Sequence, residues 1–260
     1  MRGELALNTS TLFGFLLVLT RMAGAMIFVP LPGIRNTPEP VRLVLAVGLT
    51  FALFPFWPSP VSSTASGSIG WLLVAIAGEA ALGLIIGVAV SLMTEGFLLA
   101  AQMLGLQAGY AYASAVDPTS QADSTVLQLI AQLSASLLFL AAGLDRQVIR
   151  ILASSFETHP AGAFSYSPSS VEAILALGAK MFVVGLRLAL PVLALLLLLD
   201  LALALLERVH SQLHLLTLAF PLKMAAALVI VAATTALMPS FVASSAEFTF
   251  GTIRKLLTLE

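Results

Sequence analysis

The chain has 260 residues, of which 59% are hydrophobic and 10% are charged, and its net charge is −1. Soluble domains carry about 25% charged residues, so this composition is typical of a membrane protein. The near-neutral charge gives no electrostatic reason to expect nucleic-acid binding. The absence of cysteine from the sequence excludes disulfides and thiolate metal sites.

The apolar runs in the first part of the chain predict three helices, at 12–29, 41–54 and 71–104. The first stops at Pro30. It contains Arg21, for which an internal ion pair or snorkelling is favoured over a transport role. The second is short for a span, which needs about 20 residues. The third is longer than a perpendicular span, so it is strongly tilted, bent at a glycine or partly outside the bilayer.

Small and acidic residues share one face of the third predicted helix. Gly83 and Gly87 form a G-x-x-x-G pair, and Glu79 lies one turn earlier. Glycines at this spacing let a second helix approach closely, which predicts a helix contact. Glu79 and Glu95 are costly in lipid, so each needs a partner or a water-filled cavity.

A polar stretch from 102 to 124 interrupts the apolar sequence and is too long for a tight turn, which indicates a functional loop. Its two glycines supply conformational freedom, and its two tyrosines supply bulk with polar tips. The carboxylate of its Asp-Pro pair accepts a hydrogen bond that holds the loop in place, or the pair simply begins the next helix. We interpret the stretch as a loop that lines or blocks a passage between helices. The residues that carry this interpretation are Gly105, Gly109, Tyr110, Tyr112, Asp117 and Pro118.

The second part of the chain contains four apolar runs, which predict helices at 126–142, 148–156, 171–206 and 215–238. Gly143 is a plausible stop for the first of these. The second is short and is predicted to be interfacial or packed on protein. The third is too long for one helix, and Pro191 divides it into a hairpin or a kinked helix. The fourth is broken at Pro221, and the residues that follow it are interpreted as a tail.

Three charged residues interrupt the third of these runs. Lys180 and Arg187 lie two turns apart on one face, and Asp200 follows, so the three pair with one another or with acids elsewhere. Charges in the connecting loops do not alternate between two sides, as a simple serpentine topology requires. We therefore predict irregular helices packed on protein.

The sequence contains no strong catalytic or metal-binding motif. His210 and His214 are four residues apart, but Ser211 stands where a zincin motif has glutamate, and two polar residues at a helix boundary are the better explanation. An intramembrane protease built from Asp117 and Asp200 is conceivable, although Asp117 lies in a loop before proline. We predict a protein that is not an enzyme and needs no cofactor or metal.

The central loop resembles the FliR family of flagellar export-gate proteins, in the run from Gly105 to Gly109 and in Val116-Asp117-Pro118. The resemblance covers nearly the whole chain. Further fragments fall in the family's order: Arg21 with Val29-Pro30, Pro38 and Arg42; Leu138-Phe139-Leu140; Ser154-Ser155-Phe156 with Pro160; Ala189-Leu190-Pro191; and Phe220-Pro221-Leu222-Lys223. The SctT proteins of virulence-type injectisomes are relatives, but the loop sequence of this chain is more similar to that of the flagellar proteins. Ala108 and Asp145 depart from the family pattern.

The resemblance implies an all-α, polytopic membrane protein of broken, inclined helical hairpins, similar to a fusion of FliP-like and FliQ-like units, with residues 1–260 as one domain. It implies a subunit that forms with FliP and FliQ the channel for unfolded flagellar proteins, near FlhB and FlhA. The location implied is the flagellar basal body in the bacterial inner membrane. The plug region of the family matches residues 105–124.

Other functions remain as alternatives: an equivalent injectisome subunit, or a stand-alone secondary transporter. A transporter is expected to show inverted repeats and polar groups that converge near the midplane. Here the charges are scattered along the helices, which favours pairing across an assembly. The predicted partner contacts are Arg21, Glu79, Gly83, Gly87, Glu95, Lys180, Arg187 and Lys223.

Overall fold

The computed structural model describes residues 9–29, 39–54, 57, 69–110, 126–162, 168–209, 215–234, 236 and 238–258. These residues form eight α-helices and no strand, which confirms the predicted all-α class. The helices are α1 (Thr9–Met26), α2 (Glu39–Ala52), α3 (Ile69–Ala108), α4 (Val126–Ala141), α5 (Leu144–Thr158), α6 (Pro168–Val209), α7 (Leu215–Thr234) and α8 (Met238–Thr258).

The hairpin alternative at Pro191 and the predicted break at Pro221 are wrong. The helix α6 continues through Pro191, and α7 continues through Pro221. A proline inside a helix removes one backbone hydrogen bond, but its fixed φ is compatible with the helix. In an apolar setting the remaining backbone groups have no other donors or acceptors, so the helix persists on both sides. The hairpin predicted at Pro191 is therefore excluded.

The long apolar helices are those best suited to cross a membrane. Among the described residues, α3 and residues 170–208 of α6 are long and apolar enough to span, and up to four spans result if two bent pairs of helices count as one each. At 1.5 Å per residue, the 40 residues of α3 extend about 60 Å, twice the roughly 30 Å of a hydrocarbon core. The polytopic membrane class that the resemblance implies is confirmed.

The chain divides into two compact units. Unit 1 comprises Met1–Leu92, Phe139–Leu177 and Ala246–Glu260. In it α1 lies directly against the first half of α3, because a Cβ atom added to Gly83 would stand 2.2 Å from the backbone carbonyl oxygen of Arg21. At Gly87 the corresponding distance to the carbonyl oxygen of Ala25 is 2.5 Å. Only glycine permits this separation of the two helix axes.

Unit 2 comprises Met93–Leu138 and Gly178–Ser245. The end of α3 packs there on α6, and a Cβ atom added to Gly185 would stand 2.9 Å from the carbonyl oxygen of Gly96. The core of the unit is apolar and draws on α3, α4, α6 and α7. Its buried residues include Leu104, Ala108, Leu127, Val192, Leu196 and Ala227.

Candidate functional site

The end of α3 has the geometry of a glycine-terminated helix cap. Gly109 follows the last helical residue and has a φ of +87°, a backbone conformation that glycine adopts readily. The Tyr110 N–H donates to the Gly105 carbonyl at 2.9 Å, and the Gly109 N–H donates to the Leu106 carbonyl at 3.3 Å. These two bonds form a Schellman motif, which fixes the direction in which the chain leaves the helix.

Tyr110 fastens this helix end to α7. Its hydroxyl donates to the Met224 carbonyl at 3.0 Å, and its ring packs on the core of unit 2. Burial raises the pKa of the Tyr110 hydroxyl above its ordinary value of 10.0, because phenolate is poorly solvated there. The hydroxyl therefore stays protonated, and stays a donor, at physiological pH.

Asp200 links the C-terminal end of α3 to its own helix, α6, and to α7. One carboxylate oxygen accepts from the Gln107 side chain at 3.1 Å, and the other forms an ion pair with Lys223 of α7. The side chains of Lys223 and Asp200 are 16% and 33% exposed, so water screens the pair only in part. Gln107, Tyr110, Asp200 and Lys223 are hereafter called the α3-terminal cluster. It joins α3, α6 and α7 immediately before residue 111.

Half of the predicted plug residues belong to the part of the chain that the structure describes. Gly105, Gly109 and Tyr110 form the helix cap, whereas Tyr112, Asp117 and Pro118 lie outside the described residues. The protease alternative paired Asp117 with Asp200, but Asp200 is engaged by Lys223 and Gln107. The sequence suggested that Asp200 pairs with Lys180 or Arg187, but its ion pair is with Lys223, on the next helix.

A second polar site lies in unit 1, where Arg21 and Glu79 are both fully buried. The Arg21 Nε donates to a Glu79 carboxylate oxygen at 2.5 Å. Its two terminal nitrogens donate to the Ser155 hydroxyl at 3.0 Å and to the His159 carbonyl at 2.9 Å. The internal ion pair that sequence analysis favoured for Arg21 is therefore present within the chain.

Two further contacts complete this site. The Arg21 guanidinium carbon lies 4.1 Å from the centre of the Phe156 ring, a cation–π distance. The second carboxylate oxygen of Glu79 accepts from the Gly162 N–H at 2.8 Å. Because the pair is closed to solvent and carries hydrogen bonds on both sides, its geometry suits a structural tie between α1, α3 and α5. Sequence reasoning missed Gly162, since a backbone donor leaves no signal in side-chain chemistry.

The remaining predicted contact residues occupy different environments. Gly83 and Gly87 contact α1 within the chain, as described above. Glu95 of α3 and Lys180 of α6 are half-buried, and Arg187 of α6 is exposed. Within the described ranges no group of three or more metal-ligating side chains forms a metal site, and His210 and His214 lie outside those ranges.

Comparison with known proteins gives one family. The model described as bacterial export proteins, family 1, matches residues 12–248. The chain is 33% identical to the flagellar biosynthetic protein FliR of Escherichia coli (strain K12), over 92% of this chain and 89% of that protein. It is 31% identical to FliR of Pectobacterium carotovorum subsp. carotovorum, over 84% and 80% of the two chains. It is 27% identical to FliR of Bacillus subtilis (strain 168), over 94% and 95%.

These matches confirm the resemblance to the FliR family, which the sequence analysis found over nearly the whole chain. The chain belongs to the bacterial export proteins of family 1, the family of the FliR proteins.

Proposed function

We propose that this chain is a structural and gating subunit of the flagellar protein-export apparatus in the bacterial inner membrane. In this proposal it forms, with FliP and FliQ, the channel for unfolded flagellar proteins, near FlhA and FlhB in the basal body. Residues 105–124 are its plug. The role is structural and needs no catalytic chemistry. The observation that carries the proposal is the α3-terminal cluster, which holds the start of the plug region to two other helices.

A plug needs a fixed base, and the bonds that hold it closed must be weak enough for a passing polypeptide to break. The cap at Gly109 supplies the fixed base. A neutral hydrogen bond contributes about 0.5–1.5 kcal/mol, and one to a charged group about 1.5–3 kcal/mol. The Tyr110 and Gln107 bonds together therefore favour the closed base by about 3 kcal/mol. That corresponds to a closed-to-open ratio of roughly a hundred, which is reversible on passage of a substrate.

Substitutions at Gly109 test the gating role in cells that lack their own copy of the gene. Gly109→Leu is expected to block motility and secretion, because leucine is strained at a φ of +87° and redirects the plug. Gly109→Asn is the matched control, since asparagine tolerates this conformation, and it is expected to retain motility. Deletion of part of 111–124 is expected to raise ion permeability. Normal motility in Gly109→Leu together with unchanged permeability in the deletion would refute the proposal.

The flagellar assignment is favoured over the injectisome alternative by the relatives, which carry the name flagellar biosynthetic protein. Restoration of motility in a flagellar mutant that lacks its own copy tests it directly. The transporter alternative predicts a solute-binding monomer on purification. The proposed function predicts co-migration with two other small membrane proteins.

A further inference from the structure

A cavity of about 150 Å³ lies in unit 1, between the end of α1, the middle of α2 and the start of α5, and it is open to the outside. Three of its lining residues are almost fully buried, so the cavity reaches into the packed interior of the unit. The lining consists of six apolar residues and one acid: Met26, Val29, Leu45, Leu49, Val148, Ile149 and Asp145.

The mouth of this cavity is formed by residues at helical spacing. Leu45 and Leu49 are four residues apart on α2, and Asp145 and Ile149 are four residues apart on α5, so each pair lies on one face of its helix. Ile149 is exposed, and the other three are half-buried. These residues are more exposed than the rest of the lining, so the carboxylate of Asp145 stands toward the mouth of an otherwise apolar cavity.

The carboxylate of Asp145 is not engaged by a protein cation. Within the residues that the structure describes it forms no ion pair. Arg146 follows it directly, but adjacent residues of a helix do not face each other. Arg42 lies one turn before Leu45 on α2, and its guanidinium donates to the Ile27 carbonyl at 3.4 Å. The negative charge at the mouth of the cavity is therefore accessible to a cation from outside the chain.

The volume and lining of the cavity indicate what it can hold. An apolar protein cavity of about 150 Å³ is large enough to bind benzene. Water is a poor occupant, because a buried water molecule needs several polar partners and Asp145 is the only polar side chain of the lining among the described residues. A lipid acyl chain would fill the apolar part, but it would displace water from the carboxylate without giving it a partner. An occupant that suits both parts has an apolar body of the size of benzene and one positive charge.

We propose that this cavity is a binding site for a small organic ammonium ion, with an apolar group of the size of a benzene ring next to a primary ammonium. The apolar group lies between Leu45, Leu49 and Val148, and the ammonium forms an ion pair with Asp145 at the mouth. The site belongs to unit 1, whereas the α3-terminal cluster belongs to unit 2. The inference therefore goes beyond the proposed function and does not depend on it.

The first test compares para-fluorobenzylammonium with the neutral para-fluorobenzyl alcohol, which has nearly the same shape. Fluorine NMR line widths are measured as each is titrated with the full chain in lipid nanodiscs, and empty nanodiscs correct for partition into lipid. The ammonium is expected to bind about fivefold more tightly, because an ion pair at a partly exposed position contributes a factor of that order. Asp145→Asn is expected to remove this preference and to leave the affinity for the alcohol unchanged. The matched control is Glu157→Gln, which neutralises an exposed acid of the same helix and is expected to change neither affinity.

The second test reduces the space in the cavity and keeps the carboxylate. Leu49→Phe places a larger side chain in the cavity and is expected to weaken binding of both molecules about tenfold, whereas Leu43→Phe, at an exposed position of the same helix, is expected to change neither. The comparison at Asp145 stands by itself if Leu49→Phe does not accumulate. Absence of binding, equal affinity for the ammonium and the alcohol, a preference that persists in Asp145→Asn, or unchanged binding in a folded Leu49→Phe variant overturns the proposal.

Discussion

The buried Arg21–Glu79 pair predicts a large effect for a single substitution. Glu79→Ala removes a fully buried guanidinium's anion, the only one that contacts it among the described residues. The Ser155 hydroxyl and the His159 carbonyl still accept hydrogen bonds, but neither carries a charge. Removing one member of a buried ion pair typically lowers the free energy of unfolding by about 3–5 kcal/mol.

A second loss accompanies the first. The half-buried Gly162 N–H donates to Glu79, and loss of its acceptor costs at most about 1–3 kcal/mol, the cost of a buried donor left unpaired. The two effects overlap, since both follow from loss of one carboxylate, so we expect a total near 5 kcal/mol. Whole domains are stable by about 5–15 kcal/mol, so Glu79→Ala is expected to leave unit 1 marginally folded.

Two further variants separate charge from packing. Arg21→Met combined with Glu79→Leu replaces both charges with apolar side chains, and is expected to recover most of the lost stability because no buried charge remains unpaired. Glu157→Ala removes an exposed carboxylate on α5 and is expected to change stability by less than about 0.5 kcal/mol.

Tryptophan fluorescence during unfolding in a denaturing detergent is a suitable assay. The two tryptophans of the sequence are Trp57 and Trp71, and both belong to unit 1. Trp71 also lies beside Gly162, whose added Cβ would stand 3.1 Å from its ring. If Glu79→Ala unfolds at the same detergent concentration as the unmodified protein, or if the double variant is no more stable than the single one, the argument from buried charge is wrong.

Two other predictions concern close helix contact and the α3-terminal cluster. Gly83→Ala is expected to destabilise unit 1, because its Cβ meets the Arg21 backbone. The control is Gly48→Ala in α2, whose added Cβ meets no atom within 4 Å; it is expected to be neutral or to stabilise by up to about 1 kcal/mol. The same fluorescence assay compares the two variants. Lys223→Gln is expected to raise the resting ion permeability of cells a few-fold, since a partly exposed ion pair contributes up to about 1 kcal/mol. Exchange of the charges at Asp200 and Lys223 is expected to restore a low permeability, and an unchanged permeability in Lys223→Gln would contradict the role of the pair.

The sequence predicted helices well where apolar runs were long and ended at glycine or proline. The stop at Gly143 is an example, since this residue adopts a φ of +65° between α4 and α5. Inside the long apolar runs, proline was a poor predictor of where a helix ends. The helix α8 was missed because its charged and hydroxyl residues were interpreted as a tail. Its buried residues nevertheless recur at helical spacing, as Val242, Ala246, Phe250, Ile253 and Leu257.

The partner of each charged residue could not be predicted from the sequence. The cost of a charge in lipid shows that Arg21 and Glu79 need partners, but 58 positions separate them, and helix periodicity relates only near neighbours. The same limit applies to Asp200 and Lys223, which lie on different helices. The cap at Gly109 was missed, because the helix was predicted to end at 104 and residues 102–124 were interpreted as a loop, whereas α3 continues to Ala108.

The two polar sites differ in a way that fits two tasks. The Arg21–Glu79 pair is closed to water and held by bonds on every side, so opening it costs several kcal/mol and it suits a permanent part of the fold. The Asp200–Lys223 pair is partly exposed, and water competes for both charges. Under the proposed gating role, a contact that releases a plug and then closes again needs the weaker kind. In that role, the buried pair would hold against a passing substrate, whereas the partly exposed pair would open at an energy that ordinary binding supplies.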